Sequence, residues 1–273
     1  MADRYVVVGN PITHSKSPQI HAAFAAQTGQ NLSYERLLAP LDGFVANVEA
    51  FRADGGKGLN VTVPFKQEAW QLCDALSERA QLAEAVNTIK FEDGRIVGDN
   101  TDGVGLCRDI CHNLQQALQG KRILLLGAGG AARGVILPLL AEQPACLTIA
   151  NRTASKAEQL AQQFQHYGQL GASSYEALAG QQFDVIINAT SASLSDALPP
   201  LPGGCFAPGS LAYDMMYGKG LTPFLLFAQQ LGSEQLADEQ GMLLEQAAEA
   251  FCIWRGVRPD TTAVIAELRA GLC

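Results

Sequence analysis

Arg122-Ile123-Leu124-Leu125-Leu126-Gly127-Ala128-Gly129-Gly130-Ala131-Ala132-Arg133-Gly134 is the stretch on which the fold turns. Its first five residues are the near-continuous apolar run that a strand covered on both faces of a parallel sheet requires. Apolar residues then resume over 135–140 as a helical run. Between the two, Gly127-x-Gly129-x-x-Ala132 follows a strand and opens a helix. In that context the small residues let the backbone approach a pyrophosphate, and the helix N-terminus supplies N–H donors and a positive dipole. Gly127, Ala128, Gly129, Gly130 and Ala131 are therefore candidate dinucleotide contacts.

Downstream, 146–150 is a second strand, ending in Asn151-Arg152-Thr153. A site for NAD places an acid there to accept from the ribose 2′-hydroxyl. No acid is present. Arg152, Thr153 and Lys156 instead offer cations and a hydroxyl where a 2′-phosphate would sit, which favours NADP(H) over NAD(H). With further strands at 183–188 and 210–213, this half reads as a doubly wound sheet. Beyond it, Leu243, Ala247, Phe251 and Trp254 form one apolar helical stripe that Gly256 and Pro259 end. Residues 260–272 make a last helix, and the stripe is expected to return to the N-terminal domain.

Upstream, strands at 5–8, 32–38 and 59–63 alternate with amphipathic stretches at 20–28, 44–52, 67–76 and 78–84. That is the pattern of parallel βαβ units. Residues 86–91 and 95–97 flank Glu92-Asp93-Gly94, which reads as a hairpin. A connecting helix spans 101–118. The expected architecture is α/β in two domains. Residues 1–103 and 240–273 form a substrate-binding catalytic domain, and 104–239 a Rossmann-type, doubly wound NADP-binding domain.

Composition bounds the rest. The 273 residues are 48% apolar and 17% charged, enough for packed cores, and length alone suggests about two domains. Nineteen basic against 27 acidic residues leave a net charge of −8, which disfavours nucleic acid as a partner. No apolar run reaches the ~20 residues of a membrane helix, and Met-Ala-Asp-Arg leads straight into a strand, so a cytoplasmic protein is expected. Seven scattered cysteines without C-x-x-C suit reduced thiols, and the four histidines pair with no cysteine at ligand spacing, so no metal is expected.

The polar segments of the N-terminal half carry the chemistry. Gly9-Asn10-Pro11-Ile12-Thr13-His14-Ser15-Lys16-Ser17-Pro18 follows the first strand, where open α/β sheets bind ligands. Ser17-Pro18 reads as a helix N-cap and first residue, while a second hydroxyl at Ser15 makes the pair a neutral clamp for a carboxylate. Leu59-Asn60-Val61-Thr62-Val63-Pro64-Phe65-Lys66 runs from a strand into a turn, and Asp102 opens the connecting helix. Taken singly, Lys66 is a surface charge and Asp102 a helix-start residue.

Taken together, Gly9 to Pro18, Asn60 to Lys66, Ala85-Val86-Asn87-Thr88 and Gly98-Asp99-Asn100-Thr101-Asp102-Gly103 resemble the shikimate dehydrogenase family. The resemblance continues through the Gly127 turn, Asn151-Arg152-Thr153, Tyr213-Asp214-Met215-Met216-Tyr217 and Gly241-Met242-Leu243-Leu244-Glu245-Gln246. It implies an NADPH-dependent oxidoreductase that reduces 3-dehydroshikimate to shikimate, a step of aromatic amino-acid biosynthesis towards chorismate. By the same resemblance Ser15 and Ser17 hold the substrate carboxylate, and Asn60, Thr62, Asn87 and Asp102 line the ring. Lys66 handles the proton beside Asp102, while Tyr217 and Gln246 contact the substrate from the C-terminal side. The segments Gly127–Ala131 and Asn151, Arg152, Thr153, Lys156, with Met215 and position 239, match the family's NADP contacts. Lys156 stands where Arg is common, and Glu239 where Gly is usual.

The resemblance also implies chemistry with a pH sense. Lys66 as an ammonium suits ketone reduction, and it must lose a proton first in the oxidative direction, so oxidation should accelerate well above neutral pH. The nearest rival is an oxidoreductase of quinate or another hydroxy acid, and a more distant one is a non-catalytic NADPH-binding module. Arg152 and Ser17 argue against the first, and the retention of Lys66, Asp102 and both serines against the second. The partner is a small molecule, and the chain is expected to be a monomer or homodimer.

Overall fold

The computed structural model describes residues 2–190, 198–216 and 220–270. Tyr217, singled out above, lies outside them. The chain divides into two compact units, one made of residues 1–105 with 242–273 and the other of 106–241.

The first unit is built on a six-stranded sheet: β1 (Asp3–Gly9), β2 (Leu32–Leu38), β3 (Gly58–Val61), β4 (Ala75–Leu76), β5 (Thr88–Glu92) and β6 (Arg95–Asp99), in the order β2-β1-β3-β5-β6-β4. β1 pairs in parallel with both β2 and β3, as expected of βαβ units. β5 runs antiparallel to β3 and to β6, closing the hairpin at Asp93-Gly94. The helices are α1 (Ser17–Thr28), α2 (Phe44–Ala53), α3 (Lys66–Leu72) and α4 (Glu78–Ala83). One core packs Phe44, Val48 and Phe51 of α2 with Leu59, Val61 and Ile89 of the sheet.

The other face of that sheet is covered by the end of the chain. In α9 (Gln240–Arg255), Leu244, Ala247, Ala248 and Phe251 pack on Ile20 and Phe24 of α1, together with Val264 and Ile265 of α10 (Thr262–Ala270). Trp254 stacks on Tyr5 with ring centroids 4.6 Å apart and donates from Nε1 to the Ile89 carbonyl at 3.0 Å. The apolar stripe thus does return to the N-terminal sheet.

The second unit holds six parallel strands in the order β12-β11-β10-β7-β8-β9. They are β7 (Arg122–Leu126), β8 (Cys146–Ala150), β9 (Leu170–Ser173), β10 (Phe183–Asn188), β11 (Phe206–Asp214) and β12 (Gln235–Asp238). Helices α6 (Gly130–Ala141), α7 (Ala154–Phe164) and α8 (Pro223–Gln230) lie between strands. The strand order reverses direction at β7, the topological switch point of a Rossmann sheet. Ile123 to Leu126 are wholly buried, which is why β7 reads as an unbroken apolar run.

Four expectations change. The stretch 67–76 is helical only to Leu72. Asp74 N then donates to the Ile96 carbonyl and its carboxylate accepts from Ile96 N, so Ala75–Leu76 joins the sheet as β4. The strand expected to run to 63 ends at Val61. Ser17 does not cap α1 with its side chain; its own N–H donates to Ser15 Oγ at 3.3 Å. The helix expected over 101–118 is α5 (Asp102–Arg108), followed by a π-type turn over Asp109–Asn113. There the buried Asp109 carboxylate accepts from Tyr213 Oη at 2.7 Å and Asn113 Nδ2 at 2.9 Å. A Cβ on Gly241 would overlap that carboxylate, so glycine is required there.

Candidate active site

Lys66 is the first residue of α3 and Asp102 the first of α5. Their side chains meet, Nζ donating to Oδ2 at 2.6 Å, with the lysine a third exposed and the aspartate a fifth. Asp102 Oδ1 accepts from Asn87 Nδ2 at 2.7 Å, and its backbone N–H donates to Asn100 Oδ1 at 3.1 Å. Asn87 itself is fixed without ambiguity. The Thr101 N–H donates to its Oδ1 at 2.9 Å, which leaves the Nδ2 end facing Asp102. Gln246 reaches the same cluster from α9: its Oε1 lies 3.5 Å from Asn87 Nδ2 and 3.4 Å from Thr101 Oγ1. Its Nε2 bonds the Leu243 carbonyl one turn back.

Ser15 and Ser17 face each other at 3.2 Å between hydroxyl oxygens. The backbone of Ser15 is clamped by Arg36, whose Nε and Nη2 both donate to the Ser15 carbonyl, at 3.0 and 2.6 Å. Thr62, half-buried, follows β3. Asn60, inside β3, is buried, and its amide protons go to the Asn87 carbonyl at 3.1 Å and Thr88 Oγ1 at 3.0 Å.

A second layer holds the Asp102 turn. Arg79 of α4 makes a bidentate bond to Asp99 at 2.7 and 2.9 Å and reaches Glu249 of α9 at 3.0 Å. Asp99 Oδ1 in turn accepts from the Asn100 N–H at 2.7 Å. Arg36, Arg79, Thr88 and Thr101 were not singled out from sequence. Only the hydroxyls of Thr88 and Thr101, inside motifs already noted, offered a signal; arginine on a surface helix or edge strand offers none.

In the second unit the Gly127 turn sits at the C-terminal end of β7. Gly127 has φ +109°, in the region that favours glycine, and a Cβ there would press on the Ala189 carbonyl at 3.1 Å. At Gly129 and Gly130 a Cβ would meet nothing within 4 Å, so the fold alone does not ask for glycine at these two positions. Both, with Ala131, are exposed, and the first turn of α6 carries no side-chain cap. Open space above bare helix N–H groups is the cradle a pyrophosphate takes. Arg152, Thr153 and Lys156 are exposed at the end of β8, where Asn151 Nδ2 donates to the Thr153 carbonyl at 3.0 Å. Neither cation has an ion-pair partner among the described residues. Burial pushes the Tyr175 phenol up, and the positive charge of Arg152 opposes that rise. Met215 follows β11 and is buried, and Glu239 is half-buried between β12 and α9. Among the described residues, no cluster of His, Cys, Asp and Glu could hold a metal, and no helix is long and apolar enough to cross a membrane.

A Rossmann sheet with an uncapped glycine turn at its switch point, joined in one chain to a lysine–carboxylate pair, defines a dinucleotide-dependent oxidoreductase. Family comparison narrows this. The shikimate dehydrogenase substrate binding domain matches residues 7–89, shikimate / quinate 5-dehydrogenase 109–195, and the shikimate 5′-dehydrogenase C-terminal domain 241–269. The chain is 64% identical over 272 residues to the NADP(+) shikimate dehydrogenase of Dechloromonas aromatica, covering 100% of this chain and 99% of that one. Among solved structures it is similar to the Ael1 enzyme of Pseudomonas putida, with TM-score 0.93, 56% identity and 98% of each chain covered. It also matches the Thermus thermophilus shikimate 5-dehydrogenase in complex with NADP(H) and shikimate, with TM-score 0.84, 31% identity and coverage of 98% and 99%. The chain belongs to the shikimate dehydrogenase family.

Proposed function

We propose that this chain catalyses the reversible NADPH-dependent reduction of 3-dehydroshikimate to shikimate, a step of aromatic amino-acid biosynthesis. The observation that carries the reading is the Lys66–Asp102 pair at 2.6 Å, with Asn87 and Gln246 converging on it in the same unit. Bound cofactor supplies a hydride to the ring carbonyl carbon. The oxygen then gathers charge, and Lys66, an ammonium with a proton to give, donates to it. Asp102 holds that ammonium in place and, with Asn87, Thr62 and Gln246, accepts from and donates to ring hydroxyls. Ser15 and Ser17 offer two hydroxyls to the substrate carboxylate, and Tyr217, outside the described residues, is given a substrate contact by the family resemblance alone. On the cofactor side, residues 127–131 meet the pyrophosphate. Arg152, Thr153 and Lys156, with Asn151, meet the 2′-phosphate, and Met215 and Glu239 lie towards the nicotinamide.

The test is NADP⁺ reduction followed at 340 nm with shikimate or quinate, and with NADP⁺ or NAD⁺, for the wild type and Lys66→Ala. Turnover is expected with shikimate and NADP⁺, and the variant should lose about 10²- to 10⁴-fold in kcat. Preference for quinate would move the assignment to a relative acting on another hydroxy acid. Tight NADPH binding without turnover on any pair would reduce the chain to a binding module.

A further inference from the structure

Behind Asp102 and Gln246 lies a guanidinium that the proposed chemistry does not use. Arg79, in α4, is a fifth exposed and divides its donors between two carboxylates. Nε donates to Asp99 Oδ1 at 2.7 Å, and Nη2 is shared between Asp99 Oδ2 at 2.9 Å and Glu249 Oε1 at 3.0 Å. The two carboxylates come from opposite ends of the chain, and each stands one step from residues of the candidate site.

On the Asp99 side the direction of each bond is forced. Asp99 Oδ1 accepts from the Asn100 N–H at 2.7 Å, and the Asp99 carbonyl accepts from the Asn87 N–H at 3.1 Å. Asn100 Nδ2 faces the Ala85 carbonyl at 3.1 Å, which can only accept, so Oδ1 is the end that takes the Asp102 N–H. On the other side, Glu249 sits one helical turn after Gln246 on α9 and also accepts from Arg258. No side chain separates α9 from α5 at Gly105, where a Cβ would stand 2.8 Å from Gln246 N and 2.9 Å from the Met242 carbonyl oxygen. The helix that carries Gln246 therefore rests directly on the helix that Asp102 opens.

We propose that Arg79 is a positioning residue for the substrate site: its fork sets Asp102 and Asn87 through Asp99, and Gln246 through Glu249, so that the two sides of the site keep one register. The inference rests on the reading of Asp102 and Gln246 as substrate contacts. Fixed supporting groups of this kind set how well the contacts in front of them are preorganised. Lysine would keep the charge of Arg79 but not the planar fork that two carboxylates share.

The experiment is steady-state oxidation of shikimate by R79Q, R79K, E249Q and R258Q, with the melting temperature of each variant taken alongside. R79Q is expected to lower kcat about 10- to 100-fold with the KM for NADP⁺ within about two-fold. R79K should stay within about three-fold of R79Q. E249Q, which loosens only the α9 side, should raise the KM for shikimate about three- to ten-fold with kcat within about two-fold, and should add nothing in a Q246A background. R258Q, which removes the other cation on Glu249, should leave the shikimate KM unchanged. Variants that melt lower yet keep wild-type kcat and KM overturn the inference, as do full recovery by lysine, an R258Q effect equal to that of E249Q, and an E249Q effect that persists in full without Gln246. Should R79Q not fold, R79K and the E249Q–Q246A cycle decide the matter by the same criteria. Q246A without effect on shikimate KM overturns the place of Gln246 in the site, and with it the role given to Arg79, whereas a wild type that does not turn over shikimate overturns the proposed function itself.

Discussion

His21 is wholly enclosed by Tyr34, Phe24, Phe251 and Trp254, and burial drops its imidazole to about 3. In the folded chain it stays neutral through the whole working range, whereas an unfolded histidine takes up a proton below about 6.5. The unfolded state therefore binds more protons in acid. The stability this site contributes is full above that value and falls as the pH drops towards 3. Between pH 7.5 and 5 the loss should be about 2 kcal/mol. Urea denaturation at the two pH values measures it, and His21→Leu should show a loss smaller by that amount. In the proposed reading, Arg152 sets the choice between NADP⁺ and NAD⁺. Removing the proposed charge-assisted phosphate contact, from an exposed guanidinium without an ion-pair partner among the described residues, should raise the KM for NADP⁺ about 10- to 100-fold in Arg152→Gln while leaving that for NAD⁺ nearly constant. Equal losses with both cofactors would remove Arg152 from the 2′-phosphate.

At the scale of elements, two glycines of one turn separate what the fold needs from what a ligand needs. Gly127 carries a positive φ and a neighbour at 3.1 Å, so Gly127→Ala is expected to destabilise the chain by about 1 to 3 kcal/mol. Gly129 has an ordinary φ of −92° and open space, so Gly129→Ala should melt within about 0.5 kcal/mol of wild type yet bind NADPH more weakly, as NADPH fluorescence titration would read. The same contrast explains what the sequence made visible. β7, with four wholly buried residues, and the α9 stripe announce themselves because burial imposes a pattern on them. β9 (LGAS) and β12 (QLAD) passed unnoticed, since short edge strands with half-buried faces carry no β-branched run and no alternation. The break after Arg108 was equally hidden: it follows from the contact between Asp109 and Tyr213, 104 residues apart, which no local window contains. In the site, Lys66, Asp102 and Asn87 are legible through their motifs, while Arg79 is not, because an arginine on a surface helix looks like a solvated charge.

For the molecule as a whole, one unit is continuous in sequence and the other is sewn together from the two ends of the chain. A chain stopped after Gly241 would lack Leu244, Ala247, Phe251 and Trp254, leaving Ile20, Phe24 and Tyr5 uncovered. Such a truncation is expected to keep NADPH binding and lose all turnover, with limited proteolysis clearing residues 1–105 first. Protection of both parts against protease would contradict the division. The same arrangement sets an order of events on the ribosome. The first hundred residues leave the exit tunnel early but cannot complete their core until the last thirty follow, a wait on the order of 10 to 30 s at ordinary elongation rates. The dinucleotide sheet, synthesised second, is finished first. During that interval the nascent N-terminal segment presents the α1 face on which α9 will land, so this stretch is where a chaperone would be expected to hold the growing chain.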